Sequence, residues 1–118
     1  MLLRTKRKAF EFASAIAGLS PCNYRHGAVI TDKQGSLISF GFNSTKTHPL
    51  QAEYASRLKQ PSKIYLHAEI AALVKAKQQG YNMYVVRIGA KGELKDSEPC
   101  PICKLAMRIA GISNIVHS

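Results

Sequence analysis

Residues 67–89 read HAEIAALVKAKQQGYNMYVVRIG, and the change of period inside them decides the architecture. The first part, 67–79, is rich in Ala, carries Ile70, Leu73 and Val74 on one stripe, and meets Gly80, so it predicts a helix. The second part, MYVVRIG at 83–89, is a β-branched run typical of a strand covered on both faces. Downstream, CPICKLAMRIA (100–110) returns to helical spacing, with Ile102, Leu105, Ala106 and Ile109 expected inward and Gly111 at its end. The closing SNIVHS (113–118) reads as a strand. A strand, a helix and a strand in that order imply a parallel pair with a right-handed crossover.

Upstream, HGAVITD (26–32) and SLISFGF (36–42) flank Lys33-Gln34-Gly35 and predict a β-hairpin. Earlier still, Arg4 to Leu19 sets Phe10, Phe12, Ala13, Ile16 and Ala17 at helical spacing before Gly18 and Pro21. Residues 43–65 form a long irregular stretch, with a short helix expected near 51–59. Loops of that length in a compact domain are usually functional or disordered, and this one is read as a wall over a substrate pocket. The predicted fold is therefore a three-layer α/β/α sandwich around a mixed sheet, built from a hairpin plus parallel strands.

With 118 residues the chain is one domain, 1–118, large enough for its own core. It has no run of about 20 apolar residues, so no membrane partner is expected. The basic start MLLRTKRKAF lacks the apolar run of a secretory leader, and the expected location is the cytoplasm. Three cysteines argue against a disulfide scaffold and for metal binding or buried thiols. A net charge of +10 attracts phosphate, on a nucleotide or on a polynucleotide. Arg4, Lys6, Arg7 and Lys8 oppose the dipole of the first helix, a small local cost that hints at a use for the charge.

The chemistry is carried by SEPCPICK (97–104). Alone, its cysteine pair reads as a redox dithiol, half a structural zinc finger, or two thirds of a catalytic metal site. Cys100 and Cys103 sit three apart on a helix and share one side of it. A helix N-terminus lowers a thiol pKa, and Pro99 and Pro101 suit a first turn. His67 is the best third ligand. Residues two apart on a helix point about 200° apart, so His67 and Glu69 serve one site only from the first turn, flanking a metal beyond the helix end.

His67, Cys100 and Cys103 then leave a fourth position open, as in catalytic zinc sites, with one Zn2+ per chain. Water in that position has a pKa near 7, and Glu69 is placed to move its proton to a substrate nitrogen, which amounts to hydrolytic deamination. The non-catalytic alternative is a zinc-stabilised binding module, with Cys22 or a spare histidine as fourth ligand. The carboxylate at position 69 argues against that alternative, because a structural site does not require one there.

These residues resemble the zinc-dependent cytidine/deoxycytidylate deaminase superfamily, whose signature is H-x-E…P-C-x-x-C. His67-Ala68-Glu69 and Pro99-Cys100-Pro101-Ile102-Cys103 match it in full, and residues 70–98 between them hold one helix and one strand. HGAVI resembles the first hairpin strand of that family, and Gly41-Phe42-Asn43 the end of the second; the likeness covers nearly the whole chain. It implies conversion of a cytosine-type base to uracil with release of ammonia in a compact dCMP-deaminase-like enzyme; a free nucleotide such as dCMP is the favoured substrate, since a small basic domain with a long loop can clamp one phosphate. It implies that Asn43 bonds the sugar or base, that the backbone around Ala68 contacts the base carbonyl, and that the protein is a homo-oligomer lending pocket walls between copies.

There are departures. Relatives commonly continue with one more strand and helix after the position of Ser118, and neither has a counterpart here. Lys104 stands where relatives acting on tRNA adenosine carry a small residue, and no cysteine/histidine set for a second zinc is visible. Single-stranded DNA or tRNA is the alternative substrate, resting on charge and the basic first helix. Arg25, Arg57, Lys59 and Lys63 are candidate phosphate partners. Phe42, Tyr54 and Tyr65 are candidate stacking residues or core, His48 a loop residue near the pocket mouth, and Cys22 a small buried hydrophobe.

Overall fold

The computed structural model describes residues 1–118. In chain order its elements are α1 (Lys6–Ala17), β1 (Arg25–Thr31), β2 (Leu37–Phe42), α2 (Pro49–Arg57), α3 (Ala68–Lys75), β3 (Asn82–Ile88), β4 (Leu94–Lys95), α4 (Pro101–Ile109) and β5 (Asn114–His117). β1 pairs antiparallel with β2 on one edge and β3 on the other. The far edge of β3 is shared end to end: β5 runs parallel along Asn82–Val85, and β4 runs antiparallel beside Arg87 and Ile88. The parallel β3–α4–β5 unit is the one the sequence implies. β4 is an addition, closed by a turn in which Gly92 takes φ +79°, a conformation natural to glycine.

Because β1 and β3 are covered on both sides, their side chains alternate between two cores. Toward α1 they present Val29, Tyr84, Val86 and Ile88 against Ala9, Phe10, Ala13 and Ala17. Toward α2, α3 and α4 they present Ala28, Ile30, Met83 and Val85 against Ile70, Ala72, Ile102 and Met107. The result is the expected α/β/α sandwich. No helix is long and apolar enough to cross a membrane.

Tertiary contacts trim the predicted helices. α1 starts later than expected, at Lys6, because Thr5 Oγ1 accepts from Lys8 N at 3.1 Å and caps it. α3 stops at Lys75 instead of running to Gln79: Ala76 is already extended, and Gln79 Nε2 donates to the carbonyls of Gly80, Ala110 and Gly111. Those bonds tie the segment to the end of α4 and replace a helical turn. α3 buries Ala68, Ile70, Ala71 and Ala72, while Val74, expected inward, is 43% exposed. The small alanine face lets α3 settle on β2, where a Cβ at Gly41 would lie 2.6 Å from Ala72 N. In α4, Cys103 and Met107 turn inward and Ile109, expected inward, is exposed. α2 begins at Pro49, earlier than expected, with His48 Nδ1 accepting from Leu50 N at 3.0 Å.

A candidate metal centre where two helices begin

α3 and α4 share one core, and that packing brings their N-termini together. His67 is the N-cap of α3, Cys100 is the N-cap of α4, and Cys103 lies in the first turn of α4. His67 Nδ1 is 3.3 Å from Cys103 Sγ and 3.4 Å from Cys100 Sγ. All three donor atoms lie within 4.8 Å of one another. A tetrahedral zinc with ordinary Zn–N and Zn–S bonds separates its nitrogen and sulfur donors by about 3.6 Å. The three side chains therefore fit the ion, and both short contacts single out Nδ1 as the ligating nitrogen.

An N-cap side chain normally accepts from its own helix, but the His67 imidazole makes no such bond. Its backbone N–H is held by Gln51 Oε1 at 3.2 Å, and Gln51 Nε2 donates to Lys63 O at 3.3 Å. Gln51 is fully buried. Nothing in the sequence marks it, since a glutamine in a short polar helix reads as solvated.

The thiols are electrostatically unequal. The Cys103 thiol donates to Cys100 and, with help from His67, holds the Cys100 pKa down at about 3. The same hydrogen bond and burial push Cys103 well above the ordinary thiol value. His67 is raised, chiefly by its hydrogen bond to Cys100. Loading a cation on this set requires the Cys103 proton to leave, so metal uptake is coupled to proton release. Glu69, second residue of α3 and 5% exposed, has its carboxyl pKa raised by burial.

In front of the three donors lies a pocket of about 180 Å³ whose walls include Asn43, Ala68 and Glu69, the other positions singled out from the sequence. His67 and Cys100 also line it, together with His26, a weaker candidate from the sequence, and with Ser97 and Glu98, to which the sequence assigned no role. Asn43 is anchored on both sides: Oδ1 accepts from His26 N at 2.8 Å and Nδ2 donates to Tyr24 O at 2.7 Å. Ser97, 4% exposed, donates to Val85 O at 2.8 Å and pins the chain leading into Cys100 against β3.

Other expectations are relocated. Within 43–65 only Asn43 reaches the pocket wall; the stretch instead folds back near α3, with Leu66 N donating to Lys46 O and Ser44 N to Leu66 O. Tyr54 is core, Tyr65 is exposed, and Phe42 lies under Lys75 Nζ at 5.8 Å, so none lines the pocket. His48 caps α2. Cys22 is half-buried, not buried. Arg25 donates to Gly89 O at 2.7 Å and Arg57 pairs with Glu53 at 2.8 Å, which occupies two of the four candidate phosphate partners.

Solved structures of three enzymes share this arrangement of elements. A dCMP deaminase from the cyanophage S-TIM5, in apo form, superposes with a TM-score of 0.68 at 20% identity, covering 99% of this chain and 84% of that one. A mutant cytidine deaminase from Mycobacterium tuberculosis gives 0.65 at 16% identity over 97% and 84% of the two chains. A guanine deaminase from Bacillus subtilis gives 0.56 at 20% identity over 97% and 64%. The phage enzyme is also known in complex with dCMP and dUMP, with a TM-score of 0.57 at 19% identity over 95% of this chain and 76% of that one. No curated protein sequence matches. Residues 3–118 match the family described as the cytidine and deoxycytidylate deaminase zinc-binding region, and by that match the chain belongs to this zinc-dependent family, with His67, Cys100 and Cys103 positioned to hold one metal ion.

Proposed function

We propose that the chain hydrolyses the exocyclic amine of a cytosine-type base on a free nucleotide such as dCMP, releasing uracil-type product and ammonia. One observation carries the reading: a buried carboxyl, Glu69, lies in the same small pocket as a three-donor metal site. Zinc held by His67, Cys100 and Cys103 would supply Lewis acidity and lower the pKa of water to near 7. Glu69 acts as proton carrier. Its carboxylate takes one proton of the attacking water as the new C–O bond forms and passes it to the ring nitrogen, whose C=N bond opens; the second proton from that oxygen then goes to the amine nitrogen as the C–N bond breaks, leaving C=O on the base and ammonia. The raised pKa suits both halves of that transfer.

Ala68 opens α3, where backbone N–H groups lack intrahelical partners and are available to a base carbonyl. Asn43, fixed by its two backbone hydrogen bonds, lines the same pocket and is assigned to the sugar or base. All three cysteines are free thiols, in keeping with a cytoplasmic enzyme. The dCMP and dUMP complex of the phage enzyme supports the choice of nucleotide. We further propose a homo-oligomer, since a pocket of about 180 Å³ is smaller than the roughly 300–1,000 Å³ usual for small-molecule sites and gains from a neighbouring wall.

The test is ammonia release from the zinc-loaded protein across cytosine, cytidine, deoxycytidine, dCMP, dCTP, guanine, single-stranded DNA and tRNA, with Glu69→Ala as blank. Turnover of dCMP supports the proposal. Turnover of a nucleic acid alone removes the nucleotide substrate, and silence across the panel removes the deaminase.

A further inference from the structure

We infer that Arg87, which stands beside the pocket wall at His26, forms a phosphate subsite, so that the substrate is a 5′-phosphorylated nucleoside and not a bare nucleoside or base. This rests on the deaminase reading above and deepens it.

The argument starts from strand register. His26 of β1 lies directly opposite Arg87 of β3, and Asn43 follows Phe42, the partner of Gly27, so it falls opposite His26. Directly opposed residues share a face with Cβ atoms about 4.5–5.5 Å apart. Asn43, His26 and Arg87 thus form one row across three strands, on the face that carries Ala28, Val85 and the metal centre. Asn43 and His26 are pocket walls, and Arg87 stands one strand spacing, about 4.8 Å, further out. A base at the metal centre and a sugar along Asn43 and His26 bring a 5′-phosphate to Arg87.

The state of Arg87 points to an anion. It is half-buried, and its guanidinium makes neither an ion pair nor a hydrogen bond within the chain, unlike Arg25, which is spent on Gly89 O. The ion pairs present use Arg7, Arg57, Lys104 and His117 instead. What Arg87 does have is a support: its guanidinium sits 5.7 Å over the ring of Tyr24, a contact that leaves the N–H donors unspent. Guanidinium donors in a fixed plane match phosphate oxygens two at a time. Across the pocket the Glu98 carboxylate, which would repel phosphate, is drawn to Lys104 Nζ at 3.4 Å.

The test compares kcat/KM for dCMP and deoxycytidine in the zinc-loaded wild type, Arg87→Gln and Arg87→Lys. The expected result is a wild-type preference for dCMP that shrinks by about 10- to 100-fold in Arg87→Gln, mainly through KM, with Arg87→Lys intermediate. A preference unchanged within about twofold in Arg87→Gln overturns the subsite and leaves cytosine deamination standing. Faster turnover of single-stranded DNA than of dCMP also overturns it. If neither small substrate is deaminated the function reading falls, and the subsite is judged by thermal stabilisation with dUMP against deoxyuridine. A dUMP-specific shift that Arg87→Gln abolishes supports it, and equal shifts overturn it.

Discussion

His67 Nδ1 lies 3.4 Å from Cys100 Sγ, although the two residues begin different helices 33 positions apart in the chain. Neither helix carries a full site. The contact exists because Ile70 and Ala72 of α3 and Ile102 and Met107 of α4 fill one core and draw the two helix starts to the same point. A metal there closes a covalent-like link between two segments, with consequences for stability as well as for chemistry.

Removal of the metal is the first of these. Purified wild type is expected to hold about one zinc per chain by elemental analysis, and His67→Ala or Cys103→Ser far less. Because the ion binds the folded form, chelation should lower the melting temperature of the wild type and leave that of the variants nearly unmoved. Wild type that keeps its melting temperature under strong chelation would contradict the site.

Glu69→Gln keeps the side-chain volume in a position that is 5% exposed but removes the carboxyl proposed to carry the proton. Deamination should fall by about 10²- to 10⁴-fold while zinc content is retained. Loss of zinc together with rate would instead assign Glu69 to the metal.

Gln51→Ala leaves the His67 N–H and the Lys63 carbonyl without their partner. An unsatisfied buried group costs about 1–3 kcal/mol, and calorimetry or denaturant titration should show a loss of about 2 kcal/mol. Zinc affinity should fall as well, since His67 loses the bond that orients its backbone.

His26 gives the pH dependence. Burial, assisted by the charge of Arg87, lowers its pKa below the ordinary histidine value of 6.5. Between that lowered value and 6.5 the unfolded chain binds more protons than the folded one, so stability falls as pH falls. The contribution is whole above 6.5 and disappears as the pH drops through the folded-state value. NMR titration should find the His26 midpoint below 6.5, and acidification should cost the wild type more stability than His26→Gln. A midpoint above 6.5 would refute the burial argument.

Two glycines separate fold from site. A Cβ at Gly27 would strike the Ala13 carbonyl oxygen of α1, and one at Gly41 would lie 2.6 Å from Ala72 N and 2.8 Å from Ala68 O of α3. Overpacking of this kind costs about 1–3 kcal/mol, and backbone neighbours put both variants near the upper end. Gly41→Ala should also weaken zinc binding, because it displaces the helix that begins beside His67, whereas Gly27→Ala pushes on the far layer. Competition with a chromophoric chelator reads the difference.

Much of this was legible in the residue order. The hydrophobic period of 67–110 marks helix, strand and helix, and the β-branched run at 83–88 does lie covered on both faces. His67-Ala68-Glu69 and Pro99-Cys100-Pro101-Ile102-Cys103 declare a three-donor set because metal ligands are chemically rare types at tell-tale spacing. Those signals are local: each depends on a few neighbouring side chains and a backbone period.

What the tertiary structure alone decided involves distant partners. Val74 was assigned inward by its spacing, yet the close approach of β2 at Gly41 selects the alanine face of α3. Gln79 leaves the helix because carbonyls at the end of α4, some thirty residues on, accept its amide. Gln51 becomes the support of His67, Nδ1 becomes the ring nitrogen that faces the two sulfurs, and Arg87 comes to stand beside His26 only through strand register and layer packing. Identity and spacing name the chemical groups a chain owns; distances between them arise when burial of apolar faces selects one packing among many, and no short stretch encodes that selection.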